Sequence, residues 1–244
     1  MIKFFKRVLL LIVIAIIGIL GIFIYQGYTL YEEAINETSI REKIEEIKKE
    51  KENYIKYEEL PENYIDAIVA VEDRRFFEHN GVDIISIARA IIKDIQTMSL
   101  AEGGSTITQQ LAKNTYFTQR KELTRKVAEV FMAFEYEKAC TKEEILELYV
   151  NTIYFGDGYY CVYDASYGYF DKKPQDMNLY ESTLLAGIPN APSVYAPTKN
   201  PELAKQRQAQ VLNKMVKYKY LTQDEADKLL EVDMNSVIEK KWFE

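Results

Sequence analysis

Histidine and cysteine are nearly missing from this chain, and so are the centres that are built from them. His79 is the one histidine in 244 residues, and Cys140 and Cys161 are the only cysteines, without CxxC spacing. No recognisable zinc site can be assembled from that set, and two buried thiols, rather than a disulfide, are the expectation. Positive charge is also in deficit. A net charge of -7 argues against a general nucleic-acid binder, which carries a basic face and a high isoelectric point. Apolar–polar alternation of convincing length is absent, so strands have no support and the chain reads as mainly α-helical. What the chain does have is 48% hydrophobic residues, enough for one sizeable core or two small ones, which excludes a disordered tail.

The longest apolar run is Val8 to Ile24, seventeen residues without a polar side chain, behind Lys3, Lys6 and Arg7. It predicts a cytoplasmic tail over residues 1–7 and a transmembrane helix over 8–25, with Tyr25 and Tyr28 as interfacial anchors. A cleaved signal peptide is disfavoured because QGYTLYEEA offers no small-x-small site. The basic flank stays inside, which puts everything after Tyr25 on the extracytoplasmic side. From Glu32 to Glu52, thirteen of twenty-one residues are charged, with Ser39 and Glu42 at capping-box spacing and Ile40, Ile44 and Ile47 as a narrow stripe. Residues 26–58 therefore read as a charged helical stalk, either a spacer or a helix packed on the domain that occupies 59–244.

Within that domain, VEDRRFFEHNG holds a carboxylate where helical periodicity would place an apolar side chain. Ile65, Val69, Glu72 and Phe76 fall at i, i+4, i+7 and i+11 of a helix opened by Pro61 and ended by Asn80-Gly81. A carboxylate among hydrophobes is a stronger base than one in water, the property of a general base. An ion pair with Arg75, three residues on, is the bland alternative.

Next, DIISIARAIIKDIQTMSL carries isoleucine on more than one helix face. It is buried on several sides or dips into a lipid interface. Gly103-Gly104 breaks that helix, Ser105 or Thr106 caps the next, and Gln109, Gln110, Lys113 and Asn114 crowd one turn. Lys113, Arg120, Lys121, Arg125 and Lys126 face a single acid, Glu122, a local anion site in an acidic chain unless i,i+4 pairs such as Arg125 with Glu129 balance it. A helix from about Lys121 to Lys138 is predicted to bury Leu123, Val127, Val130, Phe131 and Phe134. Capping boxes at Thr141, Asn178 and Thr222 start later helices, a loop follows Gly187 through IPNAPSVYAP, and Asn200-Pro201 opens a long amphipathic one.

Taken together, VEDRRFFEHNG, GGSTITQQLAKN, RKVAE, KEEILELYVNTIYFG and LLAGIPNAPSVYAP resemble, in order and spacing, the five motifs of the peptidoglycan glycosyltransferases. That family includes the monofunctional enzymes and the polymerase domain of class A penicillin-binding proteins. The resemblance implies a lysozyme-like helical domain in two lobes behind a single transmembrane helix, in the cytoplasmic membrane of a bacterium. It implies polymerisation of lipid II onto a growing lipid-linked glycan strand, with inversion and release of polyprenyl diphosphate. Glu72 matches the catalytic acidic position and Glu129 the second. Lys113, Arg125 and Lys126 match the basic positions that hold the diphosphate. Ser105, Gln109, Gln110 and Asn114 would line the cleft, and Asp73, Phe76, His79 and Gly81 would fix the first motif's shape. A divalent cation, Mg or Mn, at the diphosphate is compatible with Glu129, no organic cofactor is implied, and other cell-wall synthesis proteins are natural partners.

The YYCVYDASYGYFDKKPQ stretch departs from the family in its wealth of tyrosine. No Ser-x-x-Lys and no Lys-Thr-Gly occurs, so the chain is either monofunctional or the front of a bifunctional protein. Two other readings stay in play: a lysozyme-like hydrolase or lytic enzyme using paired carboxylates, and a non-catalytic membrane-anchored scaffold.

Overall fold

The computed structural model describes residues 1–97, 103–117 and 123–238, and among these every regular element is helical. The helices are α1 (Ile2–Glu37), α2 (Ile40–Glu50), α3 (Glu62–Glu72), α4 (Ile84–Thr97), α5 (Ile107–Tyr116), α6 (Leu123–Ala139) and α7 (Lys142–Thr152). They continue with α8 (Val162–Phe170), α9 (Leu179–Gly187), the single turn α10 (Pro192–Tyr195), α11 (Pro201–Lys217), α12 (Gln223–Leu230) and α13 (Met234–Ile238). Three short 3-10 turns complete the set. The mainly helical class expected from the missing alternation is what the chain adopts.

α1 is the one helix among the described residues long and apolar enough to cross a membrane, and its most apolar stretch is not buried in the rest of the chain. It does not end where the apolar run ends. One unbroken helix continues to Glu37, and its charged half packs on α6, with the Tyr28 and Tyr31 rings 5.3 and 5.7 Å from that of Phe131. The stalk helix α2 also packs inward. Ser39 and Glu42 close the capping box, and Ile40 and Ile47 are buried in the core. Further along, Asn151 binds both the N–H and the carbonyl of Ile55, while Tyr54 donates to Glu147 at 2.6 Å. Of the two expectations for the stalk, packing on the domain is the one realised.

The core joins α3, α9 and α11 on one side and α5, α6 and α7 on the other, and tyrosine does much of the filling. Tyr64, Tyr136, Tyr149 and Tyr169 are fully buried. Three of them find a partner for the phenol: Thr115 for Tyr136, Gln110 for Tyr149 and the Phe155 carbonyl for Tyr169. Burial lifts the ionisation of each above its ordinary value, so these hydroxyls keep their protons.

Helix boundaries that rest on caps are well placed. Thr106 with Gln109, Thr141 with Glu144, Asn178 with Glu181 and Thr222 with Glu225 all form capping boxes. Those that rest on periodicity fare worse. The helix carrying Glu72 stops at Glu72, not at Asn80-Gly81, because Asp73 leaves the helix at φ -154° to bind His79 and the Ile107 N–H. The buried face of α6 is Ala128, Glu129, Met132, Ala133 and Tyr136, whereas the expected stripe turns toward α1 and leaves Leu123 and Phe134 exposed. IPNAPSVYAP is not plain loop but a 3-10 turn followed by α10, each with proline in its first turn. Both cysteines are free, Cys161 buried and Cys140 only half so. Arg120, Lys121 and Glu122 lie outside the described residues, as does the end of the isoleucine-rich stretch beyond Thr97.

Gly81 closes the turn after Asp73 in a left-handed conformation, φ +80°, with its N–H donated to Glu137 and its carbonyl bound by Thr106. An added Cβ would stand 3.3 Å from the Ala133 backbone. Gly81→Ala should lower unfolding free energy by about 1–2 kcal/mol, read from the denaturant midpoint of the detergent-solubilised chain.

Candidate active site

A cleft of about 730 Å³ opens where the end of α3 meets α4, the start of α5, the first turns of α6 and one face of α11. Glu72 stands in its wall as the last residue of α3, and its carboxylate is held from both ends. Gln110 Nε2 donates to Oε2 at 2.7 Å, and Arg207 Nη2 donates to Oε1 at 3.4 Å. Gln110 is itself oriented, since the Tyr149 hydroxyl donates to its Oε1 at 3.2 Å. That donated bond fixes which way the Gln110 amide points, with its oxygen toward Tyr149 and its nitrogen toward Glu72.

Arg75 is not the partner of Glu72. With the helix ended at Glu72, residue 75 no longer lies one turn up the same face. It binds Asp83 instead through Nη2 and through Nε at 3.0 Å, with Glu78 3.9 Å away. Burial pushes the Asp83 carboxyl up. Hydrogen bonds from Arg75 and Ser86 outweigh that and hold it well below the usual carboxylate range.

The first stretch of α6 lines the same cleft as Glu72. Glu129 is 1% exposed, a carboxylate that survives burial by pairing with cations on its own helix. Lys126 Nζ donates to its Oε2 at 2.9 Å and to Ser105 Oγ at 2.6 Å. Arg125 Nε stands 2.8 Å from Glu129 Oε1, a close ion pair whose N–H does not point along the hydrogen-bonding direction. Lys113 reaches the cleft from α5. Two cations thus hold one buried carboxylate and a third lines the same cleft, so the i,i+4 pairing that would neutralise an idle helix face here lines a cavity.

Among the residues picked out from sequence, the cleft collects Glu72, Asp73, Ser105, Gln109, Gln110, Lys113, Arg125, Lys126 and Glu129. Asn114 is exposed outside the lining, and the side chain of Gln109 is buried as the cap of α5. Asp73 and His79 share a 2.8 Å hydrogen bond, and Phe76 is fully buried beneath Lys142, 4.6 Å from its ring. Among the described residues no group of three His, Cys, Asp or Glu is placed to hold a metal ion, and Glu129 is engaged by Arg125 and Lys126.

Arg207, Tyr149, Lys214 and Arg74 complete the site without having been singled out. Arg207 had a visible signal. It falls on the buried stripe of α11 with Ala204, Gln208, Val211, Leu212 and Met215, the same anomaly of a charge on an apolar face that marks Glu72. Its guanidinium also donates to the Gly187 carbonyl and Gln210 and stands 5.8 Å from the Tyr195 ring. Lys214 donates to the Val71 carbonyl at 2.8 Å.

Comparison with known proteins agrees with the motif order. The transglycosylase family model matches residues 39–216, beginning at the cap of α2. Penicillin-binding protein 1A of Neisseria lactamica is 41% identical over 186 residues, covering 76% of this chain and 23% of that protein. Penicillin-binding protein 1F of Bacillus subtilis is 40% identical over 190 residues, covering 76% and 27%. The chain thus spans about a quarter of the length of these curated relatives. A crystal structure of penicillin-binding protein 1A from Haemophilus influenzae superposes with a TM-score of 0.45 at 24% identity, covering 74% of this chain and 17% of that one.

Two outcomes follow from the ion pairs. Arg207→Leu leaves Glu72 without its buried counter-charge and should cost about 3 kcal/mol of stability by denaturant titration. The Asp83 carboxyl is depressed in the folded chain, so its contribution is complete above its unfolded value of about 4 and is lost as pH falls below it. Asp83→Asn should be less stable at neutral pH and lose less stability than the parent between about pH 5 and 2.

Proposed function

The chain belongs to the transglycosylase family, and from that premise we propose that it extends glycan strands from lipid II at the outer face of a bacterial cytoplasmic membrane. The observation that carries the reading is the cleft itself, which gathers one carboxylate held at a helix end and, beside cations, a second, buried carboxylate. An alcohol is a weak nucleophile at neutral pH, and a diphosphate leaves carrying negative charge. Glu72 supplies the base for the first problem. As the acceptor sugar's 4-hydroxyl attacks the donor's anomeric carbon, its proton passes to the Glu72 carboxylate, the new glycosidic bond forms with inversion, and the bond to the diphosphate oxygen breaks. Gln110 and Arg207 keep the carboxylate aimed through that step. Lys113, Arg125 and Lys126 answer the second problem by receiving the charge that builds on the diphosphate. Glu129 sets the positions of Arg125 and Lys126 and keeps their heads from turning to solvent.

The membrane side fits the substrate. On α4, Ser86 and Arg89 face the cleft, whereas Ile84, Ile85 and Ile92 are 76%, 58% and 57% exposed. With Phe77, exposed just before α4, they form an apolar edge suited to the lipid interface, through which a polyprenyl chain would reach the cleft. The cations separate this reading from hydrolysis of finished cell wall, because a sugar leaving group has no use for three positive charges.

Polymerisation of lipid II by the purified chain in detergent tests the reading. Glu72→Gln should reduce the rate by about 10²–10⁴-fold while lipid II still binds, the contribution of a general base. Lys126→Ala and Arg125→Ala should weaken lipid II binding as well as turnover. Unchanged turnover in Glu72→Gln would remove that residue as the base, and release of soluble muropeptides from finished wall without polymer would favour a hydrolase.

A further inference from the structure

α1 leaves its apolar run at Ile24 and continues without a break alongside α6, and Gly27 is a point of close approach between them. A Cβ placed there would stand 2.5 Å from Val127 Cβ and 2.8 Å from the Thr124 carbonyl oxygen, so no side chain fits without moving one helix. Gly18 and Gly21, on the same helix, have nothing within 4 Å. Glycine weakens a helix by about 1 kcal/mol relative to alanine, and at position 27 that cost coincides with a contact only glycine permits. Around it, Thr124 Oγ1 donates to Gln26 Oε1 at 3.3 Å, and Tyr28 and Tyr31 pack on Phe131. The residues of α6 that Gly27 touches, Thr124 and Val127, bracket Arg125 and Lys126, and Glu129 follows in the same turn.

We propose that α1 is a positioning element for the cleft as well as an anchor, and that Gly27 is its positioning residue. Seventeen apolar residues at 1.5 Å each reach about 26 Å, so Gly27 lies within one turn of where the helix leaves hydrocarbon. Seating α6 at that point holds Arg125, Lys126 and Glu129 at the level where a bilayer presents the phosphates of a lipid-linked diphosphate. The inference rests on the glycosyl-transfer reading for its substrate, but its contact can be tested apart from it.

The full chain is reconstituted in phosphatidylcholine–phosphatidylglycerol vesicles as parent, Gly27→Leu, Gly27→Ala, Gly21→Leu and the double variant Gly27→Leu/Val127→Gly. Lipid II kinetics and binding of a polyprenyl diphosphate are measured on each, with a thermal melt to verify folding. Gly27→Leu should raise KM for lipid II and weaken diphosphate binding by about tenfold to a hundredfold, the scale of an ångström-sized misplacement. Gly27→Ala should fall between it and the parent, and it carries the comparison if the leucine variant does not fold. Gly21→Leu should match the parent, and the double variant should recover most of the loss because Val127→Gly reopens the gap. Folded Gly27 variants with parental KM and diphosphate affinity would overturn the proposal, as would a loss of turnover alone that the double variant does not restore. If the parent binds polyprenyl diphosphate without polymerising lipid II, the glycosyl-transfer reading fails, and weakened binding in Gly27→Leu would still support positioning.

Discussion

The cleft depends on where α3 stops, and Asp73 is what stops it. Its carboxylate accepts the Ile107 N–H at the first turn of α5 and shares a hydrogen bond with His79. An anion at a helix N-terminus is favourable because unpaired N–H groups and the helix dipole meet it there. The bond therefore ties the end of one helix to the start of another. Glu72, one residue earlier, is left at the junction with its carboxylate facing Gln110 of α5 rather than continuing up a helix toward Arg75. If α3 ran on to Asn80, the Glu72 carboxylate, the glutamine and the turn at Gly81 would not meet.

Around that junction the chain solves one problem repeatedly: a carboxylate removed from water needs donors to hold its charge. Glu72 has Gln110 and Arg207, Asp83 has Arg75 and Ser86, and Glu137 gathers Gly81, Thr108 and Lys142. Glu129 is the variation on the theme. Both of its partners, Arg125 and Lys126, come from its own helix, and both also face the cleft. A buried pair contributes little net stability once desolvation is counted, although removing one member is costly. Such pairs fix geometry more than they add to stability, which keeps the charges of the cleft in set positions.

The structure also ties the N-terminal helices to α6 and α7. α1 presses Gly27 against α6, α2 buries Ile40 and Ile47, and the linker after it is pinned by Asn151 and Glu147 of α7. A charged stalk would be free to act as a tether if its apolar stripe were narrower. Here three isoleucines in the stripe are enough to seat it on the core.

The amino-acid sequence by itself determined the helical class, the apolar N-terminal helix, the capping-box starts of α2, α5, α7, α9 and α12, and a core set of the cleft residues, from Glu72 and Gln110 to Lys126 and Glu129. These are local properties. A cap is decided within four residues, an apolar span by its length, and a motif by spacing along the chain. What only the tertiary structure decided were the partners. Arg207 meets Glu72 across 135 positions, Gln110 is aimed by Tyr149, and the apolar stripe of α6 faces the anchor helix instead of the core. Periodicity shows that a face is covered but not by what, since hydrophobic burial has no direction and rewards a membrane-borne helix as readily as a core. A buried charge likewise announces that a counter-charge exists, and the fold alone says from which helix it comes.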